Sequence, residues 1–178
     1  DNPDLYEYMT GIRYLNFIAD IFGVDAALRR ERIRRYADAF ELTGDLAQPI
    51  AAYSHGMKQK LAIISAWLHR PRLILMDEPF SAVDHLTKCT LQEELINIRQ
   101  AENKTVLFVT HDINEAVFLA DRVVLLSPRP STIQKIYEIP LEQKRGRSDP
   151  LLLKIAAEIA KDINSGGQDI PNNYWGNL

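Results

Sequence analysis

Leu73-Ile74-Leu75-Met76-Asp77-Glu78-Pro79 decides the fold. The apolar run has the length of a buried strand, and the two carboxylates after it mark the strand's end. In an open α/β sheet such a strand delivers its last residues to the carboxyl edge, where the ligands of these folds collect. Two acids at that edge suit metal–nucleotide chemistry: one holds Mg²⁺, directly or through water, while its neighbour polarises the attacking water. An Asp-Glu pair alone also describes an ordinary surface turn, and the apolar run before it is what favours the functional reading.

Toward the C-terminus, short apolar runs alternate with amphipathic helices. Leu91, Leu95 and Ile98 mark a helix, Thr105 to Val109 a second strand, Asn114 to Ala120 a helix, and Arg122 to Leu126 a third strand. Strand, helix, strand, helix, strand is the pattern of a parallel sheet with crossover helices. Thr110-His111-Asp112 ends the second strand, so parallel neighbours bring His111 to the same edge as Asp77 and Glu78. A lone His is more often structural, whereas one beside two acids at a strand end fits a phosphate sensor. Asp112 and Glu115 form a capping box for the next helix. Ser131 to Leu141 reads as a further, more exposed strand or pair of strands, and Lys144-Arg145-Gly146-Arg147 as a polar linker. Asp149 and Pro150 then open a helix to Ile163. From Asn164 the composition is that of a poorly ordered tail.

Toward the N-terminus the pattern is helical. Tyr14, Phe17, Ile18, Ile21 and Phe22 recur at helical spacing, with Gly23 as the cap. A second helix from Ala26 to Phe40 carries five arginines whose charge is nearly cancelled by Asp25, Glu31, Asp38 and Glu41, which reads as a solvated face. A third starts near Gly56 and ends before Pro71, with Leu61, Ile64 and Trp67 or Leu68 on one face. Tyr53-Ser54-His55-Gly56-Met57 leads into it, and a helix N-terminus with a Ser hydroxyl and a Gly amide receives phosphate oxygens, although the same residues also make an ordinary cap.

Composition sets the outer limits. With 178 residues, 46% of them hydrophobic, the chain can fill a core, and its net charge of −3 lies too near neutral for a general nucleic-acid binder. Cys89 is the single cysteine, so no internal disulfide forms, and no apolar run is long enough to cross a bilayer. The four histidines show no ligand spacing, and core or surface roles are preferred for them. None of the 8 glycines precedes a lysine, so the sequence contains no G-x-x-x-x-G-K-[ST] phosphate loop.

Taken in order, Tyr53-Ser54-His55-Gly56-Met57, Asp77-Glu78-Pro79, Ser81-Ala82-Val83-Asp84 and His111-Asp112 resemble the signature motif, Walker B strand with catalytic Glu, D-loop and switch His of ABC transporter ATP-binding subunits. The resemblance covers roughly residues 3 to 163 and implies an α/β P-loop NTPase (RecA-like) parallel sheet with an inserted helical subdomain, its first strands and P-loop missing. It implies that Asp77 helps hold Mg²⁺, Glu78 is the general base, His111 contacts the γ-phosphate of ATP, and Asp84 communicates across a dimer. Ser54 and Gly56 would bind the γ-phosphate of a nucleotide held by a second, head-to-tail nucleotide-binding subunit. The implied partners are transmembrane permease subunits, which would hold the protein on the cytoplasmic face of the membrane.

The resemblance divides the chain into a helical signature subdomain (1–70), part of the catalytic α/β core (71–142), a C-terminal helix (143–163) and a flexible tail (164–178). His55 stands where the signature usually has Gly and Tyr53 where it has Leu, both familiar in exporter-type members, and Asp1 falls at the expected Q-loop Gln. Residues 3 to 65 look like drug or antibiotic exporters, whereas residues from about 71 to 130 look like nitrate, sulfonate or taurine importers. Ser165-Gly166-Gly167-Gln168 spells most of a signature, but no amphipathic helix follows it to receive a phosphate. A second reading, from the missing phosphate loop, is a non-catalytic fragment or interaction module that keeps the fold. A soluble ABC ATPase of DNA repair or translation ranks below both, since it would usually bring a second cassette or a coiled-coil insertion.

Overall fold

The computed structural model describes residues 5–81, 83–140 and 146–166. Its elements run α1 (Gly11–Ile21), α2 (Ala26–Ala39), α3 (His55–Leu68), β1 (Leu73–Asp77), α4 (His85–Glu102), β2 (Thr105–Val109), α5 (Ile113–Leu119), β3 (Arg122–Leu126), β4 (Ile133–Glu138) and α6 (Pro150–Gly166). The chain divides into two compact units, Asp1–Val109 and Thr110–Leu178.

Helix starts in both units are set by short polar side chains. Thr10, Asp25, Ser54, Asp84 and Asp112 each accept a hydrogen bond from a backbone N–H of the turn that follows, satisfying donors the helix itself leaves open. Gly23 closes α1 at φ 63°, where a side chain would be strained.

In the first unit α1, α2 and α3 pack on one another and bury Leu15, Tyr36, Phe40, Leu61, Ile64 and Trp67. The stripe on α1 keeps Tyr14 buried, as expected, and adds Gly11, Leu15 and Ala19, while Ile21 and Phe22 are 60% and 53% exposed, because the helix ends at Ile21 and Phe22 instead stacks on the His69 ring. Several arginines of α2 are structural ties: Arg29 pairs with Asp20, and Arg32 donates to the Leu68 carbonyl at 2.9 Å.

Strands β1 and β2 pair in parallel, Leu73 opposite Thr105 through Asp77 opposite Val109, with α4 as the crossover. Ile74 and Met76 are buried, but Leu73 and Leu75 are 58% and 66% exposed. The strand expected to be buried therefore covers one face only, and Leu75, Leu107, Asp77 and Val109 share the open row.

The second unit departs from the expected topology. β3 was expected to continue a parallel sheet; it pairs antiparallel with β4, Val123 opposite Tyr137 and Val124 opposite Ile136. The link from Leu126 to Ile133 is too short for a crossover and long enough for a hairpin. α6 starts on Asp149, whose Oδ1 accepts from Leu151 N at 2.8 Å, and packs with α5 and the hairpin around Val117, Tyr137, Ile139, Leu152, Ala156 and Ile159. Ser165 and Gly166 close α6, so the signature-like tetrapeptide begins at a helix C-terminus, and Gly167 and Gln168 lie outside the described residues.

Candidate functional site

The acid pair sits where the sequence predicts. Asp77 is the last residue of β1, exposed, and opposite Val109 at the end of β2. Glu78 follows with its backbone N–H donating to the Val109 carbonyl at 2.9 Å, which ties the turn after β1 to the carboxyl end of β2. Glu78 has φ 45°. Among the described residues three other non-glycines have positive φ, and Glu41, Arg70 and Asn103 each stand at a helix C-terminus, where that conformation is routine. Glu78 alone of the four directly follows a strand, and a left-handed Glu there stores backbone strain of the kind that gathers at functional sites. Phe80, 2% exposed, packs its ring 5.8 Å from that of Phe108 and anchors the turn, and Ser81 N donates to the Glu78 carbonyl at 3.1 Å.

Asp84 is exposed and caps α4, its Oδ1 accepting from Thr87 N at 3.1 Å. The bonds from Thr87 hold its carboxyl below the usual carboxylate range. Four residues apart on α4, His85 Nε2 and Cys89 Sγ lie 3.9 Å from each other.

Ser54 caps α3, its hydroxyl accepting from Met57 N at 3.2 Å, and remains exposed. Gly56 lies in the first helical turn, and a Cβ built there would come no nearer than 4.0 Å to Val83, just before Asp84. Interior packing therefore does not demand glycine at 56. The residue before the cap is fixed from beneath: Tyr53 is 5% exposed and donates its hydroxyl to the Asp45 carbonyl at 2.7 Å. Gly11 is required by that arrangement, since a Cβ on it would fall 2.3 Å from the Tyr53 hydroxyl. Lys58 of the same helix pairs with Glu7.

His111, exposed, belongs to the second unit and follows Val109 by two residues. Asp112 Oδ1 accepts from Glu115 N at 3.2 Å, as the expected capping box requires, and Thr110 Oγ1 joins the box, donating to Glu115 Oε2 at 2.5 Å and accepting from Asp112 N at 3.1 Å. Sequence reasoning placed Glu115 in the box and missed Thr110. The Thr-x-Asp-x-x-Glu spacing was the available signal.

Asp77 offers the hard carboxylate oxygen that Mg²⁺ prefers, and among the described residues no three His, Cys, Asp or Glu side chains converge on a metal site. A single carboxylate at a strand end is a donor that fits Mg²⁺ held together with nucleotide phosphates. No described helix is long and apolar enough to cross a membrane.

A family model described as ABC transporter matches residues 9–81. The aliphatic sulfonates import ATP-binding protein of Bacillus cereus is 34% identical over 152 residues, 85% of this chain and 60% of that protein. A solved ATP-binding subunit of an ABC transporter superposes with a TM-score of 0.71 at 26% identity, covering 92% of this chain and 66% of the other. An ATP-binding cassette solved as a dimer in a post-hydrolysis state with ADP and Pi gives 0.66 at 23% identity, over 80% of this chain and 62% of the other, a likeness of fold. The fold is that of the ABC ATPase domains, an α/β P-loop NTPase fold. The chain belongs to the ABC transporter ATP-binding family. It spans 58 to 60% of the length of curated relatives it matches. The sulfonate-importer match is longer than either the exporter-like or the importer-like stretch, so one family relation runs across both.

Proposed function

We propose that the protein binds and hydrolyses ATP as a subunit of an ABC transporter and couples that reaction to transmembrane transport. The observation that carries this reading is the tie between the acid turn and β2: Asp77 opposite Val109, with Glu78 N on the Val109 carbonyl. Asp77 holds Mg²⁺ at the end of β1, which supplies charge neutralisation on the phosphates when bound. Glu78 accepts a proton from the attacking water, a role helped by a backbone conformation that fixes where its side chain leaves the turn. His111 contacts the γ-phosphate.

The remaining residues act between subunits. Ser54 and Gly56 open a 14-residue helix whose first amides and partial positive charge favour an anion. Because Gly56 is not needed for internal packing, its missing side chain serves a group approaching from outside, which we assign to the γ-phosphate of a nucleotide on a second, head-to-tail subunit. Asp84, rigidly capped at the start of α4, carries the signal between the two. The helical part (1–70), the core part (71–142) and the C-terminal helix (143–163) follow the family's division of labour, with permease subunits as partners and a cytoplasmic, membrane-peripheral location through them. A relative named for sulfonate import supports the importer side of this reading.

One observation favours a second reading, a non-catalytic module: these 178 residues contain no Gly-Lys phosphate loop. Taken alone they are expected to turn over ATP weakly or not at all. Mg-ATP titration discriminates, since micromolar binding by the 178 residues requires another phosphate cradle. Mixing tests the composite site. In the polypeptide encoded by the full reading frame, Ser54→Arg and Glu78→Gln are each expected to be inactive. Mixed, they regain turnover, because one site of the mixed dimer keeps an intact Ser54 from one subunit and an intact Glu78 from the other. A mixture as inactive as its parts overturns the head-to-tail assignment.

A further inference from the structure

We infer that Thr110 and Glu115 are positioning residues for His111, holding it in one geometry before any nucleotide arrives. The inference rests on the reading of His111 as the phosphate-contacting group, and its structural half stands apart from that reading. In an ordinary capping box the carboxylate three residues into the helix bonds directly to the backbone N–H of the cap residue. Here the Thr110 hydroxyl joins the box. It donates to Glu115 Oε2 at 2.5 Å and accepts from Asp112 N at 3.1 Å, while Asp112 Oδ1 accepts from Asn114 N at 3.0 Å and Glu115 N at 3.2 Å.

The consequence lies in what the relay encloses. A direct box would fix residues 112 to 115 and leave the chain before them to find its own path. By drawing in the side chain of residue 110, the relay fixes the backbone on both sides of residue 111. Glu115 is 5% exposed, on a segment of α5 that also buries Val117, Phe118 and Leu119, so the anchor of the relay belongs to a packed helix. A β-branched threonine adds stiffness at χ1 and aims the hydroxyl at both partners. His111 itself remains exposed. An exposed side chain on a backbone pinned at both flanks is preorganised for an external ligand, and preorganisation is what lets a short hydrogen-bond donor act without reorganising during reaction.

Three substitutions separate the possibilities. Thr110→Val keeps the shape and removes both hydrogen bonds, Thr110→Ser keeps the hydroxyl, and Glu115→Ala removes the anchor. The reporters are Asp112 amide hydrogen exchange and the His111 imidazole NMR signals, read on the 178-residue chain without nucleotide. Thr110→Val and Glu115→Ala are expected to speed Asp112 exchange about tenfold or more and to broaden or split the His111 ring signals. Thr110→Ser restores both, and the signals of His55, His69 and His85 stay in place, which identifies the change as local. Wild-type exchange and wild-type His111 signals in Thr110→Val overturn the inference, as does a failure of Thr110→Ser to restore them. In the full-reading-frame protein, Thr110→Val is expected to lower kcat with KM unchanged. If the NMR result holds while His111→Ala leaves turnover intact, the functional reading of His111 fails and the positioning pair stands.

Discussion

Tyr53 buries its ring under the start of α3 and holds the Asp45 carbonyl, and Gly11 exists to admit its hydroxyl. Gly11→Ala is expected to cost about 1–3 kcal/mol, the usual range for overpacking, read as a lower urea midpoint with an unchanged m-value. Tyr53→Phe in the same chain removes the nearest clashing atom, so the double variant should lose less than the sum of the two single changes. Ionisation gives a second test at this scale. Burial pushes the Tyr53 hydroxyl up to about 12, and burial together with the bond to Glu102 does the same for Tyr36. Tyrosines of the unfolded chain ionise near 10, so as pH rises the unfolded state gives up protons first. Stability from these two groups is complete below about pH 10 and is lost as pH rises toward about 12. Thermal midpoints measured across that window should fall, and the slope should flatten in Tyr53→Phe. Neither tyrosine was legible as a structural tie in the sequence, since a bond from a ring hydroxyl to a distant carbonyl or carboxylate leaves no periodic trace.

Three helices meet at one carboxylate. Glu102, at the end of α4 with its side chain 4% exposed, accepts from Tyr36 Oη at 2.5 Å, lies 3.2 Å from Arg35 of α2, and lies 3.8 Å from Arg70 just past α3. Glu102→Ala removes the buried acceptor of the Tyr36 hydroxyl, while Arg35 and Arg70 stay partly exposed to water, and is expected to destabilise the first unit by about 1–3 kcal/mol, measured by denaturant unfolding. Asp84 separates structure from function on the same helix. Asp84→Asn keeps a capping side chain and should leave the unfolding midpoint unchanged, whereas Asp84→Ala should lower it. Should ATP turnover of the full-reading-frame protein fall in Asp84→Asn, the charge of Asp84, beyond its capping, serves the reaction. The elements themselves were legible. β1, β2 and β3 were read at or near their observed bounds, because each is a short apolar run between turn or helix signals. What the runs could not reveal was pairing: an apolar strand carries the same residues whether its neighbour is parallel or antiparallel, and only the shortness of the link after Leu126 decides for the hairpin.

On the scale of the molecule, the open row of β1 and β2 is the feature least expected from sequence. Leu75 and Leu107 are 66% and 55% exposed, and the outer face of the hairpin shows Val124 and Leu126. Apolar rows of this kind attract partners or aggregate. The 178-residue chain is therefore expected to bind a hydrophobic dye and to self-associate, and the pair Leu75→Thr and Leu107→Thr should reduce both with little loss of stability. The motif order was legible because each motif is local: an acid pair after an apolar run, a capped glycine turn, a His after a strand. Its chemistry was not, since that depends on which groups meet around bound ATP. The most direct test of the account measures ATP turnover and Mg-ATP binding side by side for the full-reading-frame protein and its Glu78→Gln variant. The account predicts retained binding with turnover reduced about 10²–10⁴-fold, the usual worth of a general base. Turnover at the wild-type rate in Glu78→Gln would contradict it.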